Sequence, residues 1–207
     1  MGEESPCRIF EIGYGRTASR SVAEAFHLLG LNIRHGFGSR TNYEQDAFDK
    51  LRHGRFDWGI YESCDFSSNI SFIHWYQLYK NIPNSRFVLT VRPVEDWLDS
   101  WEELFHSHTI RLRLSEKGSS WAVWSRLIQF GMVGFDREEW GRRYTEHNWQ
   151  VMTTIEEDRL LVLNVWEMTD RCLWLDIANF IGEQPPKNAP FPKLGRGERP
   201  GNSKRLI

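Results

Sequence analysis

Residues 13–21 combine a glycine turn with hydroxyl and guanidinium side chains, between a predicted strand and a predicted helix. The apolar run before them breaks at Gly13, and from Val22 the apolar residues recur at helical spacing until Gly30. The first N–H groups of such a helix have no partner within it, so the turn can bind an anion. The alternative is an ordinary strand–turn–helix with capping serines. The candidate binding residues are Gly15, Arg16, Thr17, Ala18, Ser19, Arg20 and Ser21.

A second polar pair follows the clearest buried strand, predicted at residues 86–91. Arg92 comes directly after that strand, and Ser100 lies eight residues later on the helix that Arg92 introduces. Eight residues are a little over two helical turns, so Ser100 can return to the side of the helix entry. The alternative is that Arg92 pairs with Glu95 or Asp96 and that Ser100 is a surface serine.

The elements that must position these residues alternate along the chain. Strands are predicted at residues 8–12, 31–35, 57–61, 86–91 and 159–165. Helices are predicted at 22–29, 41–53, 69–80, from 94 onward, within 109–134, at 136–155 and at 171–181. This alternation predicts one α/β domain over residues 1–207, a three-layer α/β/α sandwich with a central parallel sheet. Residues 109–134 are expected to be helical with a mobile loop, and 193–207 to form a basic tail. Ligands bind such sheets at the carboxyl ends of the strands.

Composition narrows the possible partners and compartment. The formal net charge of −2 argues against a nucleic-acid-binding protein, which would carry a basic surplus. Three cysteines without metal-ligand spacing indicate a reduced, intracellular protein. The first residues lack a signal-peptide pattern, Pro6 breaks the myristoylation pattern, and no apolar run is long enough to span a membrane. We therefore expect a cytoplasmic protein. The sequence does not indicate its oligomeric state.

Three blocks of the sequence resemble the sulfotransferases that use 3′-phosphoadenosine-5′-phosphosulfate, most closely their small P-loop branch. Residues 13–21 resemble the 5′-phosphosulfate loop of that family, and residues 83–100 resemble its 3′-phosphate motif. The third block runs from 159–165 through 180–182 to 190–192. Because the blocks keep the family's order over nearly the whole chain, the resemblance implies the P-loop-like fold of sulfotransferases.

The resemblance also implies a donor, a product and roles for individual residues. The loop and Arg16 would cradle the 5′-phosphosulfate, and Arg16 would stabilise charge on the departing nucleotide. Arg92 and Ser100 would bind the 3′-phosphate through charge-assisted hydrogen bonds. Arg196 aligns with a C-terminal motif of the family whose tryptophan is missing here. The implied reaction needs no metal, transfers to a hydroxyl or amine of a small or amphipathic acceptor, and leaves 3′-phosphoadenosine-5′-phosphate.

A hydroxyl acceptor needs a general base, and the family places a histidine or an acid near the end of the strand before the 3′-phosphate strand. The first candidate is Glu62, directly after the predicted third strand. Asp65 is the neighbouring acid, with helix capping as its alternative role. His35, at the end of the second strand, is the other candidate, although a lone histidine is more often structural.

Two departures from the family pattern fall in the 5′ loop. Ala18 replaces a common glycine and is expected to need a right-handed backbone, and Arg20 stands where a small hydroxyl residue is frequent.

Two other classes of protein remain as alternatives. A P-loop kinase or nucleotide hydrolase would need the G-x-x-x-x-G-K-[ST] pattern, which fails at Ala18, Ser19 and Arg20. A non-catalytic nucleotide-binding protein on a sulfotransferase scaffold fits the departures, but such a protein has no chemical reason to keep Arg16, Arg92 and Ser100 together.

Overall fold

The computed structural model describes residues 8–36, 50, 55, 61, 64–106 and 120–194, the side chains of 120–124 excepted. Five parallel strands form one sheet within these ranges, in the order β2-β3-β1-β4-β5. The strands are β1 (Ile9–Glu11), β2 (Ile33–His35), β3 (Phe66–Ser68), β4 (Arg86–Val91) and β5 (Leu160–Asn164). The longest is β4, which pairs with β1 through Arg86, Phe87 and Val88 and with β5 along its whole length from Phe87.

Helices cover both faces of the sheet. They are α1 (Ser19–Leu28), α2 (Trp75–Asn81), α3 (Val94–His106), α4 (Ser120–Phe130), α5 (Arg137–Thr154) and α6 (Asp170–Ile181), and the 3-10 turn Ser71–His74 precedes α2. One face packs against α1 and α6 through residues such as Phe26, Val88 and Ile177. The other packs against α2 and α5 through Phe87 and Val151. The predicted three-layer α/β/α sandwich is thereby confirmed.

A third core cluster lies beyond the sheet and consists mainly of aromatic rings from α3, α4 and α5. Trp97 stacks on Tyr144 with ring centroids 4.3 Å apart, and Phe130 stacks on Trp140 at 3.7 Å. Tyr14, from the turn after β1, contacts this cluster through Phe130. The aromatic residues of the helical segment therefore pack against the predicted anion loop.

The third strand of the described sheet, β3, is not one that the sequence predicted. Of the span 57–61 only Tyr61 is described, and it lies in a turn, whereas β3 is Phe66–Ser68. Ser67 and Ser68 are fully buried in this strand. Two serines in three residues give no apolar pattern, which explains why the strand is not recognisable in the sequence. Within the described residues β3 ends at Ser68 and Asn69 follows it, while Glu62 lies outside the described residues.

Several predicted segments lie outside the described residues. They are most of the helix at 41–53, the predicted mobile loop at 115–120 except Ser120, which begins α4, and the tail beyond residue 194. None of the described helices is both long and apolar enough to cross a bilayer.

Candidate active site

The site lies where the parallel strands end, because all their carboxyl ends meet at one edge of the sheet. The turn after β1, residues 13–18, lies at the centre of this edge, since β1 is the middle strand. Gly36, Asn69 and Arg92 follow β2, β3 and β4 at the same edge, and Trp166 comes two residues after β5.

Gly13 allows the turn to lie against β4. A Cβ atom at this position would meet the Thr90 hydroxyl oxygen at 2.2 Å and the Thr90 carbonyl oxygen at 2.6 Å. No side chain fits there, because real Cβ contacts do not approach so closely. The Gly13 N–H donates to the Glu11 carboxyl at 3.0 Å, so the turn is fixed from its first residue.

Helix α3 holds the other side of the turn through three side chains. The Trp97 indole N–H donates to the Gly15 carbonyl at 2.9 Å, and the Trp101 ring lies 3.3 Å from where a Gly15 Cβ would be. Arg16 Nε donates to Ser100 Oγ at 2.8 Å. Ser100 is only 9% exposed, so it is not a surface serine. Two sequence motifs 84 residues apart are therefore in direct contact.

Arg92 is held by its backbone, while its side chain makes no ion pair with any described residue. The Tyr144 hydroxyl accepts from the Arg92 N–H at 2.8 Å and donates to the Arg92 carbonyl at 3.0 Å. The Arg92 guanidinium lies over the Trp166 ring, 4.5 Å from its centroid. Its Nε is buried without a hydrogen-bond partner among the described residues. The predicted alternative, pairing with Glu95 or Asp96, is therefore wrong.

Comparison with known proteins agrees with this geometry. The model of a family described as sulfotransferase domain matches residues 8–199. The chain belongs to this sulfotransferase family. A solved structure, the sulfotransferase from Alicyclobacillus acidocaldarius, superposes with a TM-score of 0.52 at 12% identity, covering 95% of this chain and 88% of the other. At this identity the match supports the fold. No curated protein matches the sequence.

The turn after β1, residues 13–18, has a backbone that the sequence did not predict. Ala18 adopts the left-handed conformation, with φ 67° and ψ 23°, so the expected right-handed backbone is wrong. Arg16 is also left-handed, with φ 75°. The left-handed conformation destabilises a residue with a Cβ by about 1–2 kcal/mol. Thr17 lies between them, fully buried and hydrogen-bonded, and it holds the strained turn in place.

The remaining loop residues differ in what they contact. Ser19 begins α1 and is 8% exposed. The Ser21 hydroxyl accepts from the Leu194 N–H at 3.1 Å, which ties the C-terminal segment to α1. Arg20 is partly buried and contributes to the electrostatics of His35. Arg196, two residues beyond Leu194, lies outside the described residues.

The three candidate bases differ in where they lie relative to the carboxyl edge of the sheet. Glu62 lies outside the described residues. Asp65 lies at the amino end of β3, where its carboxylate accepts from the Asn32 N–H at 2.7 Å, so it is far from the carboxyl edge and caps no helix. His35 lies at that edge, with Nδ1 2.7 Å from Ser68 Oγ. Burial and the charge of Arg20 lower its pKa to about 4, so its imidazole is neutral at pH 7.

The structure adds His147, which the sequence analysis did not select. It reaches from α5 to the turn, where Nε2 donates to the Ile12 carbonyl at 2.8 Å and the ring stacks on Tyr14 at 4.2 Å. Burial lowers its pKa to about 4. Its position between Tyr144 and Val151 on the inward face of α5 is a signal that was present in the sequence. Trp97, Trp101, Thr90 and Glu11 were also missed, and they carry no comparable motif.

A first prediction concerns Ala18. The variant Ala18→Gly should raise the free energy of unfolding by about 1 kcal/mol. Glycine adopts the left-handed conformation without strain, and the strain that is relieved exceeds the additional conformational entropy that glycine loses on folding. Urea unfolding measures the change. The control Ala25→Gly, within α1, should lose about 1 kcal/mol or more. A destabilised Ala18→Gly protein would contradict the strain at this position.

A second prediction concerns His147. Its pKa is lower in the folded than in the unfolded protein, so stability is present above the unfolded value and lost as pH falls from about 6.5 through 4. The expected loss from this residue is about 3 kcal/mol. Plotted against pH, the free energy of unfolding should fall by about 3 kcal/mol more for wild type than for His147→Gln between pH 7 and 4, since glutamine keeps the donor to Ile12 but does not titrate. Parallel curves would show that His147 is not buried as a neutral ring.

Proposed function

We propose that this chain transfers a sulfuryl group from 3′-phosphoadenosine-5′-phosphosulfate to a hydroxyl or amine of a small or amphipathic acceptor by in-line displacement. One observation carries the proposal, the hydrogen bond of 2.8 Å from Arg16 Nε to Ser100 Oγ. It joins the loop suited to the 5′ end of the donor to the helix suited to its 3′-phosphate. A donor with an anionic group at each end is the ligand that such a pair of sites fits.

The loop is suited to the phosphosulfate. It precedes the N-terminus of the ten-residue helix α1, whose first N–H groups attract anions. The bond from Arg16 Nε to Ser100 Oγ holds the positively charged guanidinium beside the loop. In the proposed reaction the acceptor oxygen forms a bond to sulfur while the bond from sulfur to the phosphate oxygen breaks. Arg16 and the loop N–H groups then stabilise the charge on the departing nucleotide.

Arg92 is suited to the 3′-phosphate. Its buried Nε lacks a partner among the described residues, and leaving such a donor unsatisfied costs free energy. A phosphate oxygen would supply the missing acceptor, and Ser100 Oγ, which already accepts from Arg16, can donate its own proton to the same group. The Trp166 ring, 44% exposed and stacked on Arg92, offers a flat surface to the base of a nucleotide.

The acceptor proton is assigned to His35 or Glu62. Asn69 occupies the carboxyl end of β3, where a base was expected, and an amide cannot take up a proton. The neutral imidazole of His35 lies next to that position, since its Nδ1 contacts the hydroxyl of Ser68, the residue before Asn69. In this proposal the imidazole receives the acceptor proton as the oxygen attacks sulfur. No metal takes part, because a singly charged sulfuryl group can be stabilised by the cationic side chains.

A third prediction tests the nucleotide site. Wild type should bind 3′-phosphoadenosine-5′-phosphate in calorimetry far more tightly than 5′-AMP or ATP. Arg92→Ala should weaken that binding by roughly 5–150-fold, the effect of one charged hydrogen-bond pair. The control Lys80→Ala removes a cation at the opposite edge of the sheet, where α2 ends before β4 begins, and should leave affinity unchanged. Equal binding by Arg92→Ala and wild type would refute the assignment, and preference for ATP with Mg²⁺ would favour a kinase.

A fourth prediction separates the two bases. His35→Asn should reduce kcat by about 10²–10⁴-fold if the imidazole is the base, with nucleotide affinity retained. The matched variant Glu62→Gln should then keep its activity. Sulfuryl transfer to a panel of phenols, alcohols and amines measures the effect. The opposite pattern would assign the base to Glu62, and full activity in both variants would exclude either residue.

A further inference from the structure

A row of four oxygen atoms connects the loop to the sheet below it. The Tyr14 carbonyl lies 2.5 Å from Thr17 Oγ1, which lies 2.6 Å from Thr90 Oγ1. Thr90 Oγ1 in turn lies 2.7 Å from Glu11 Oε1. Glu11, Thr17 and Thr90 are all fully buried. Each of the three short contacts therefore needs a proton between its oxygens, with no solvent to supply an alternative partner.

Counting protons decides the state of Glu11. The Tyr14 carbonyl has no proton, and the two threonine hydroxyls supply one each. Two protons cannot fill three contacts, so with an ionised Glu11 one pair of oxygens would face each other with lone pairs only. With a protonated carboxyl, Glu11 donates to Thr90, Thr90 to Thr17, and Thr17 to the Tyr14 carbonyl. All three contacts are then hydrogen bonds.

We propose that Glu11 is a positioning residue of the loop at residues 13–18 that acts as a neutral carboxylic acid, donating its proton to Thr90 and completing the row that holds Thr17 and Tyr14. It touches no reacting atom. Its effect reaches the ligand through the loop, whose shape depends on Thr17 between the two left-handed residues Arg16 and Ala18.

The other partners of Glu11 fit this state. Oε1 also accepts from the Gly13 N–H at 3.0 Å, and Oε2 accepts from the Asn69 N–H at 3.2 Å. The group must therefore accept at both oxygens and donate from one of them, which a carboxylic acid does. A glutamine cannot replace it, because either orientation of the amide would direct its NH2 group at a backbone N–H.

The surroundings of Glu11 also favour the acid. Burial raises the pKa of this carboxyl to about 7, and the causes of the shift include no charged side chain. Charged or titratable residues on the elements around it include Arg20, Glu24 and His27 on α1, Arg34 and His35 on β2, Arg86 on β4, Arg92 after β4 and His147 on α5. None of them is among the causes that shift the pKa of Glu11, and desolvation by burial is the largest cause.

A neutral Glu11 suits an anion-binding loop. An ionised carboxylate beneath Gly13 would repel an anion bound at the loop, and the protonated group removes that repulsion. This link to the donor rests on the proposed function, whereas the protonation state of Glu11 does not. Binding of an anion should take up a proton at pH values above the midpoint of Glu11.

The test is a titration of the Glu11 side-chain carboxyl carbon by ¹³C NMR in the ligand-free protein, with its resonance assigned through the Glu11 backbone. Wild type should titrate near neutral pH, well above the ordinary glutamate value of about 4.3. In Thr17→Val the midpoint should fall by about one unit, the effect of one hydrogen bond, because Thr90 is then free to donate to an ionised carboxylate. Thr17 itself does not contact Glu11. The control Thr153→Val, at an exposed threonine of α5, should leave the midpoint unchanged.

A second variant keeps the test decisive if Thr17→Val does not fold. Thr90→Val removes the acceptor of the acid and should also lower the midpoint, whereas loss of a donor to a carboxylate would raise it. A wild-type Glu11 that titrates with ordinary carboxyls, an unchanged midpoint in Thr17→Val, or a raised one in Thr90→Val would overturn the proposal. If Glu11 titrates as expected but 3′-phosphoadenosine-5′-phosphate does not bind, the proposed function fails and this inference stands.

Discussion

The close approach of Gly13 to Thr90 is the constraint on which the site depends. It brings the turn after β1 against the end of β4, at a distance that only a residue without a Cβ allows. Thr90 can then contact Thr17 and Glu11, so the loop is bonded to two neighbouring strands rather than to solvent. Arg92 lies two residues after Thr90, so its position relative to the loop is fixed by the same contact.

Helix α3 makes the two motifs one unit. It begins just after Arg92 and passes the loop, so that Trp97 and Ser100, three residues apart, lie on the same side of the helix. The Trp97 indole N–H donates a hydrogen bond to the Gly15 carbonyl, and the Ser100 hydroxyl accepts one from Arg16 Nε. The aromatic cluster between α3, α4 and α5 packs this helix against α5 and thereby fixes the positions of Trp97 and Ser100 relative to the loop. A large aromatic content that looks like ordinary core in the sequence thus positions the polar side chains of the site.

The sequence predicted the parallel α/β sandwich because long apolar strands such as β4 and glycine turns leave a local pattern. It did not predict β3, where Ser67 and Ser68 are buried but polar, and it therefore did not select Asn69, which follows this strand at the edge of the sheet. It also failed at Ala18, because the backbone conformation of a single residue depends on what holds its neighbours. Thr17 is anchored by Thr90, which is distant in the chain, and local sequence does not contain that contact.

The sequence by itself determined the alternation of strands with helices, the family, and the residue types that follow the recognisable strands, because these follow from local spacing and motif. Only the tertiary structure decided which of these residues meet. The bond from Arg16 to Ser100 and the buried row from Glu11 through Thr90 and Thr17 to Tyr14 join segments distant in the chain. Such contacts, and the burial that shifts the pKa values of Glu11 and His147, arise only when the layers pack together.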